Sequence, residues 1–322
     1  MTFSPTRRDL LRHAATAAAV LALPFPLSAC ARQDAAIESA ATDQPPPAPP
    51  AGAVTDDERL ALWVATLRSE GLADPETSLS RAAIRVGELA AGTPYVAGAL
   101  DAYIKAGGDP AAEPLEVSLT RFDCVTLVES CLALARTAAA EGEPTWERFG
   151  QEIERMRYRD GVRTGYASRL HYFSEWISDG ARRGLVKDMG MELGGEKDDR
   201  SLHFMRQHGN RYAAFAHPAE WEKIREMERS LDRSPRMVVP TARIAEVQDR
   251  IESGDVLAFA TSISGLDVTH AALAYRGADR VLRVLHAPLS GGVVEVTETT
   301  LPEYVAQIGM STGILVARPL WA

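Results

Sequence analysis

The hydrophobic period of this chain changes once, near Pro235, and that change limits the folds open to it. Upstream, apolar residues recur at helical spacing: Leu60, Trp63, Val64 and Leu67, then Ile84, Val86 and Leu89, then Trp146, Phe149, Ile153 and Met156. Downstream come short β-type runs split by Gly and Asp, over 255–260, 268–276, 280–287, 293–296 and 313–318. Helices followed by a strand meander predict an α+β domain, with helices packed on an antiparallel sheet. Helices are expected from a Thr55 N-cap to 69, over 78–91, over 124–140 and from the Glu143-Pro-Thr-Trp146 opening. Two more are expected near 199–208 and 218–232, the second gathering Trp221, Ile224, Met227 and Leu231. At 322 residues, 46% hydrophobic and 25% charged, the chain has the length and composition for a sizeable core. Its formal charge of −9, with acids and bases interspersed, does not point to nucleic acid as a partner.

The first 54 residues read as an address and a tether. Paired arginines in Thr6-Arg-Arg-Asp-Leu-Leu-Arg12 precede an apolar run from Ala14 to Leu27, similar to a twin-arginine export signal. Leu27-Ser-Ala-Cys30 resembles a bacterial lipobox, which implies cleavage before Cys30 and a diacylglycerol on its sulfur. An ordinary cleaved signal peptide with an incidental cysteine is the other reading. Either way residues 1–29 are a leader, and the chain is expected to be exported to the periplasm. Losing three arginines and one aspartate with the leader takes the charge to −11. Residues 30–54, with Gln-Pro-Pro-Pro-Ala-Pro-Pro at 44–50, are a polyproline-like linker, and the remaining 55–322 form one domain.

The chemistry starts at Thr120-Arg-Phe-Asp-Cys-Val-Thr-Leu-Val-Glu-Ser-Cys131. Asp123 and Cys124 stand at the front of a segment with Val125, Val128, Leu132 and Ala135 at helical spacing. Unpaired N–H groups and the positive dipole end at a helix N-terminus favour a thiolate, and can bring a thiol from about 8.5 to about 3.5–7.5. Seven residues along a helix separate Cys124 from Cys131 by about 10.5 Å. That is beyond the roughly 7 Å Cα limit for a disulfide, so both are expected free. Cys131, two turns deeper on the same stripe, is assigned to the core.

A thiol nucleophile needs a base within hydrogen-bond reach and a third group to orient that base. His270, in Asp267-Val-Thr-His-Ala-Ala-Leu-Ala-Tyr275, lies on one predicted strand and His286, in Leu285-His-Ala-Pro288, on the next. If the hairpin turns over Gly277-Ala-Asp279, residues 270 and 286 face each other directly, about 4.5–5.5 Å apart at Cβ. One ring could then take the Cys124 proton while the other fixes its tautomer. A one-residue slip would place them on opposite faces.

These residues carry a family resemblance. Asp123-Cys124 leading a helix, Gly254-Asp-Val-Leu, Thr269-His-Ala-Ala-Leu-Ala and Leu285-His-Ala look like the three blocks of the NlpC/p60 cell-wall cysteine peptidases. Gly92-Thr-Pro-Tyr95-Val-Ala-Gly98 resembles the block that precedes the cysteine there. Within that superfamily the chain resembles the N-acetylmuramoyl-L-alanine amidase branch first catalogued as a domain of unknown function. Arg159-Asp-Gly, Gly165-Tyr-Ala-Ser-Arg-Leu-His-Tyr-Phe173 and Thr261-Ser-Ile-Ser-Gly-Leu-Asp267 carry the likeness to that branch. The resemblance implies a papain-like core, with Cys124 as nucleophile, His270 as general base and acid, and His286 as its orienting partner. It also implies Tyr95 beside the reacting amide, no cofactor or metal, and muropeptides as substrate. The bond implied joins an (anhydro)muramoyl lactyl group to L-alanine.

Arg159, Tyr166, Arg169 and His171 are candidate substrate contacts, because arginine suits stem-peptide carboxylates; a structural ion pair with core aromatics is the equal alternative. The 29 residues from Tyr95 to Cys124 exceed the superfamily's usual gap, so its γ-D-glutamyl–diaminopimelate specificity does not transfer directly. An endopeptidase of that specificity is the first alternative function, and a non-catalytic muropeptide-binding lipoprotein the second. A zinc amidase would need ligands at metal spacing, and His203, His208 and His217 are spaced irregularly with no His-Glu-x-x-His.

Overall fold

The computed structural model describes residues 54–289 and 292–321. The leader, Cys30 and nearly all of the 30–54 linker lie outside the described residues. Helix α1 (Asp56–Ser69) starts at Thr55, whose hydroxyl accepts the Glu58 N–H while the Glu58 carboxylate accepts the Thr55 N–H. α2 (Leu79–Leu89), α3 (Cys124–Ala139) and α4 (Trp146–Arg157) follow close to their predicted bounds. α5 (Phe173–Arg182) and α6 (Pro218–Leu231) complete the helical part. The helix expected over 199–208 shrinks to a single turn at Phe204–Gln207. Its first residues are held instead by Asp232, which accepts the Ser201 O–H and the Leu202 N–H.

The strands are β1 (Val186–Asp188), β2 (Glu196–Asp198), β3 (Arg236–Pro240), β4 (Val256–Thr261), β5 (Val268–Arg276), β6 (Leu282–His286), β7 (Glu295–Val296) and β8 (Ser311–Pro319). A helix, α7 (Leu301–Gln307), separates the last two. All pairings are antiparallel, in the order β2-β3-β8-β4-β5-β6-β7, with β1 joined to the C-terminal end of β8. β4 to β7 are the predicted meander. β8 departs from it by returning between β3 and β4.

The sheet is covered on both faces. Ala258, Ala271, Leu273, Leu285 and Leu315 pack under α1 to α5, while Leu257, Phe259, Ala272, Val284 and Ile314 pack under α7 and the Ile244–Val247 turn. That double burial explains why β4 reads as an unbroken apolar run. α3 lies at the centre of the first layer and is apolar nearly all round, with Leu127 to Ala138 buried. Its one buried carboxylate, Glu129, meets Arg157 of α4 at 2.7 Å. A third cluster, built on α6, holds Tyr166, Tyr172, Ile224, Met227 and Leu231. Gly254 supports the join between layers. Its φ is +90°, and a Cβ there would lie 2.4 Å from the Ser80 carbonyl oxygen before α2's first turn closes, so only glycine fits. Beside it, buried Asp255 takes two hydrogen bonds from Arg318.

Candidate active site

Cys124 is the first residue of α3, and its position is set by a reciprocal cap. Asp123 accepts the Thr126 N–H at 2.8 Å, and the Asp123 N–H donates to the Thr126 hydroxyl at 2.8 Å. The chain before it is clamped by Pro94-Tyr-Val96: Phe122 N–H donates to Pro94 oxygen, and Val96 N–H to Phe122 oxygen. This brings Tyr95 beside Cys124. Burial, then the Cys124 and Asp123 charges, push the Tyr95 phenol up and keep it protonated.

The thiol departs from the helix-end expectation. Burial and the Asp123 carboxylate push Cys124 up to about 12, against N–H groups of Ala271, Val125 and Cys124 that pull the other way. Asp123 is the cap that builds the helix end, and its negative charge cancels part of the dipole's effect. The resting group is therefore a thiol at neutral pH, and a base must remove its proton. Cys131 is fully buried, and both cysteines are free.

β5 carries an imidazole toward the same helix end. The strand packs against α3, and the Ala271 N–H beside His270 is among the groups that lower the Cys124 thiol, so His270 belongs to the strand segment facing the helix end. There the β4–β5 ladder skips a residue: Phe259 pairs with His270 but Ala260 with Val268, leaving Thr269 as a bulge. Bulges next to active sites re-aim side chains. His270 stacks on Phe259 with centroids 5.6 Å apart and planes at 14°. Its Nε2 lies 2.8 Å from Nδ1 of His286, and both rings are buried.

The register behind that contact differs from the predicted one. β5 and β6 pair Leu273 with Leu285 and Arg276 with Leu282, so the loop is Gly277–Val281, five residues rather than three. Asp279 stabilises the longer loop by accepting the Val281 N–H, and Arg280 takes a φ of +59°. His270 and His286 are consequently diagonal neighbours, not directly opposed. A shift of two keeps both on one face, so the imidazoles still meet.

Burial holds both histidines neutral: His270 falls well below the ordinary imidazole range, helped by His286, and His286 falls to about 4. Among the described residues, Nδ1 of His270 and Nε2 of His286 are buried without a hydrogen-bond partner. Two residues not singled out from sequence complete the surroundings. Tyr304 of α7 places its hydroxyl 3.4 Å from His286 Nδ1, and Glu295, opposite His286 in the β6–β7 ladder, places Oε1 3.7 Å from its Nε2. A cavity of about 320 Å³ opens on this group, lined by His270, His286, Glu295, Glu298 and Tyr304. Thr300-x-x-Glu303 is a capping box that could have announced α7 and with it Tyr304.

The remaining candidates assemble elsewhere. Arg169 meets Asp101 at 2.6 Å and Glu113 at 3.5 Å and lies over the Tyr166 ring at 4.8 Å. His171 packs on Tyr166, and its Nε2 is 2.9 Å from the Tyr166 carbonyl oxygen; burial, then Arg169, pulls it down to about 3. Arg159 pairs with Glu175 at 2.6 Å. Among the described residues, none of these hydrogen bonds or ion pairs reaches Cys124, His270 or His286.

Residues 85–313 match the family model described as AmiA-like, N-acetylmuramoyl-L-alanine amidase-like, and the match spans Cys124, His270 and His286. The chain belongs to the AmiA-like family. The chain is similar to a crystal structure of an N-acetylmuramoyl-L-alanine amidase from Bacteroides uniformis ATCC 8492, at 30% identity and TM-score 0.68, over 76% of this chain and 99% of that one. A Bacteroides fragilis structure provisionally described as a xylanase is similar at 31% identity and TM-score 0.65, over 72% and 99%. A Legionella pneumophila structure carrying the family model DUF1460 shares the fold at 19% identity and TM-score 0.57, over 81% and 93%. No curated protein matches the chain. The AmiA-like chain thus has the mixed helix and antiparallel-sheet fold of known amidase structures.

Proposed function

We propose that this AmiA-like chain is a cysteine amidase of peptidoglycan fragments, cutting the amide between the N-acetylmuramoyl lactyl group and L-alanine. The observation that carries the reading is the His270–His286 contact beside the first residue of α3, with His270 Nδ1 left buried and unpartnered. His270 Nε2–H donates to His286 Nδ1, so His270 Nδ1 presents its lone pair to the thiol. As the substrate carbonyl arrives, the Cys124 proton passes to His270 Nδ1 and the sulfur bonds to the lactyl carbon. Backbone N–H groups at the α3 start, Cys124's own among them, hold the oxyanion. The C–N bond then breaks as His270 returns the proton to the L-alanine nitrogen, leaving a thioester. Water, deprotonated by His270, releases the sugar acid and restores the thiol. Tyr95, protonated beside Cys124, lines the reacting amide.

A papain-like NlpC/p60 placement fits this arrangement of helix-start cysteine and strand histidines. The likeness to a structure provisionally described as a xylanase raises glycan cleavage instead. That chemistry needs two carboxylates about 5–9.5 Å apart flanking the bond; Glu295 and Glu298 do line the cavity, and the paired imidazoles and the helix-end thiol are what favour acyl transfer over it. The leader, with Cys30 lipidated and residues 30–54 as tether, makes the chain a membrane-anchored periplasmic enzyme; loss of metabolic fatty-acid labelling in Cys30→Ala tests that.

Digestion of an anhydro-disaccharide–tetrapeptide beside intact sacculi tests the function. Product masses of free disaccharide and whole tetrapeptide are expected. A dipeptide left on the sugar would instead assign the γ-D-glutamyl–diaminopimelate bond, and no turnover of any muropeptide would leave a binding protein.

A further inference from the structure

A hydrogen-bonded pair of neutral imidazoles has two tautomeric arrangements, and only one can work. If His286 carries its proton on Nδ1, His270 Nε2 must accept, its Nδ1 bears the proton, and it cannot take another from Cys124. If His286 carries its proton on Nε2, His270 donates from Nε2 and its Nδ1 is a base. The 2.8 Å contact is compatible with both. Something outside the pair has to choose.

Of the two groups around His286, Glu295 chooses the working form and Tyr304 is able to reinforce it. Among the described residues, Nε2 of His286 is buried with no hydrogen-bond partner, and an acceptor facing it is Glu295 Oε1 at 3.7 Å, from the residue directly opposite in the ladder. An ionised carboxylate accepts and never donates, so it favours a proton on Nε2. On Nδ1, the nitrogen that also faces His270 Nε2, the Tyr304 hydroxyl at 3.4 Å can donate or accept, and where it donates it favours an unprotonated Nδ1. Four rings close on one another and fix the orientations. Tyr304 meets His286 edge-on at 5.3 Å and Phe259 at 5.4 Å, Phe259 stacks on His270, and His270 meets His286 at 5.1 Å. Each imidazole is thus packed against two of the other rings.

We infer that Glu295 and Tyr304 are positioning residues that lock His286 as the Nε2–H tautomer and thereby make His270 Nδ1 the base. The inference rests on the cysteine–histidine–histidine reading above. When His270 becomes imidazolium, the Glu295 charge on the far side of His286 stabilises it. Glu295 is 53% exposed at its side chain, so its removal leaves no buried cavity, and the Tyr304→Phe ring keeps every aromatic contact.

The test is ¹⁵N NMR of histidine-labelled full chain, with kcat and KM measured on the anhydro-disaccharide–tetrapeptide. Wild type should show protonated Nε2 and bare Nδ1 on both His270 and His286. Glu295→Ala and Tyr304→Phe should each lower kcat about 10-fold and the double variant about 100-fold, with KM unchanged and a His286 Nδ1–H signal appearing. Glu295→Gln, which retains an acceptor oxygen at the same reach, should recover most of the rate. Unchanged tautomers with kcat within twofold of wild type in the double variant overturn the inference, as does an effect confined to KM. Cys124→Ala separates the two levels: if it is inactive while the double variant is not, only the tautomer lock fails; if it turns over normally, the cysteine reading beneath it fails.

Discussion

His270 is buried and His171 half-buried, both lie among aromatic rings and both are held neutral, but they differ in what their ring nitrogens meet. His171 spends Nε2 on the Tyr166 carbonyl and lies beside Arg169, which is itself committed to Asp101 and Glu113. Among the described residues His270 spends Nε2 on His286 and leaves Nδ1 without a partner, on a strand that packs against α3. Leaving a buried polar atom unpaired costs about 1–3 kcal/mol. Unpaired atoms are not confined to His270, since Arg169 Nε and Glu113 Oε2 are also buried without hydrogen-bond partners among the described residues; what sets His270 apart is that its open atom is a ring nitrogen able to take a proton.

The largest expected effect breaks the reactive side of that comparison. His270→Ala should lower kcat/KM at least about 10³-fold while the thermal midpoint moves little. A variant with normal turnover would make His270 another His171. Next comes the structural side. Arg169→Ala leaves Asp101 and Glu113 facing each other without their cation, and should cost about 3–5 kcal/mol in urea unfolding, with KM of the folded enzyme unchanged. A raised KM with unchanged stability would move Arg169 into the substrate site.

Acid separates the two histidines more gently. His171 is pulled to about 3 in the folded chain, against an ordinary value near 6.5, so the unfolded chain takes up the proton first as pH falls. Stability is lost progressively between those values. His171→Gln, which can still donate to the Tyr166 carbonyl, should gain on wild type in urea midpoint between pH 7 and pH 4. Because His270 is also held below the ordinary imidazole range, the acid limb of kcat/KM should fall below pH 6.5. The smallest effect belongs to Cys131. Its buried thiol should resist iodoacetamide until the chain unfolds, and Cys131→Ala should cost about 1 kcal/mol with activity intact.

Much of this was legible where one residue type settles one local structure. Thr55 and Glu58 make a cap that places α1, and the β5 limits coincide with the apolar run from Val268 to Arg276. The three-residue strands β1 and β2 carry too few alternations to be read. α5 begins at Tyr172, which makes no side-chain cap, so nothing in the residue pattern marks its start. At the site, Cys124, His270 and His286 could be named, but the loop that sets their register could not, because it depends on Asp279 capping a turn with Arg280 at positive φ. The thiol's upward shift was hidden for a different reason. It comes from burial against segments distant in sequence, and that burial outweighs the helix end.

The most direct measurement is turnover of the anhydro-disaccharide–tetrapeptide by full-length wild type and Cys124→Ala at equal folded concentration, followed by release of free stem peptide. Acyl transfer through Cys124 predicts release by wild type and none above background by the variant. Equal release by the two would contradict it.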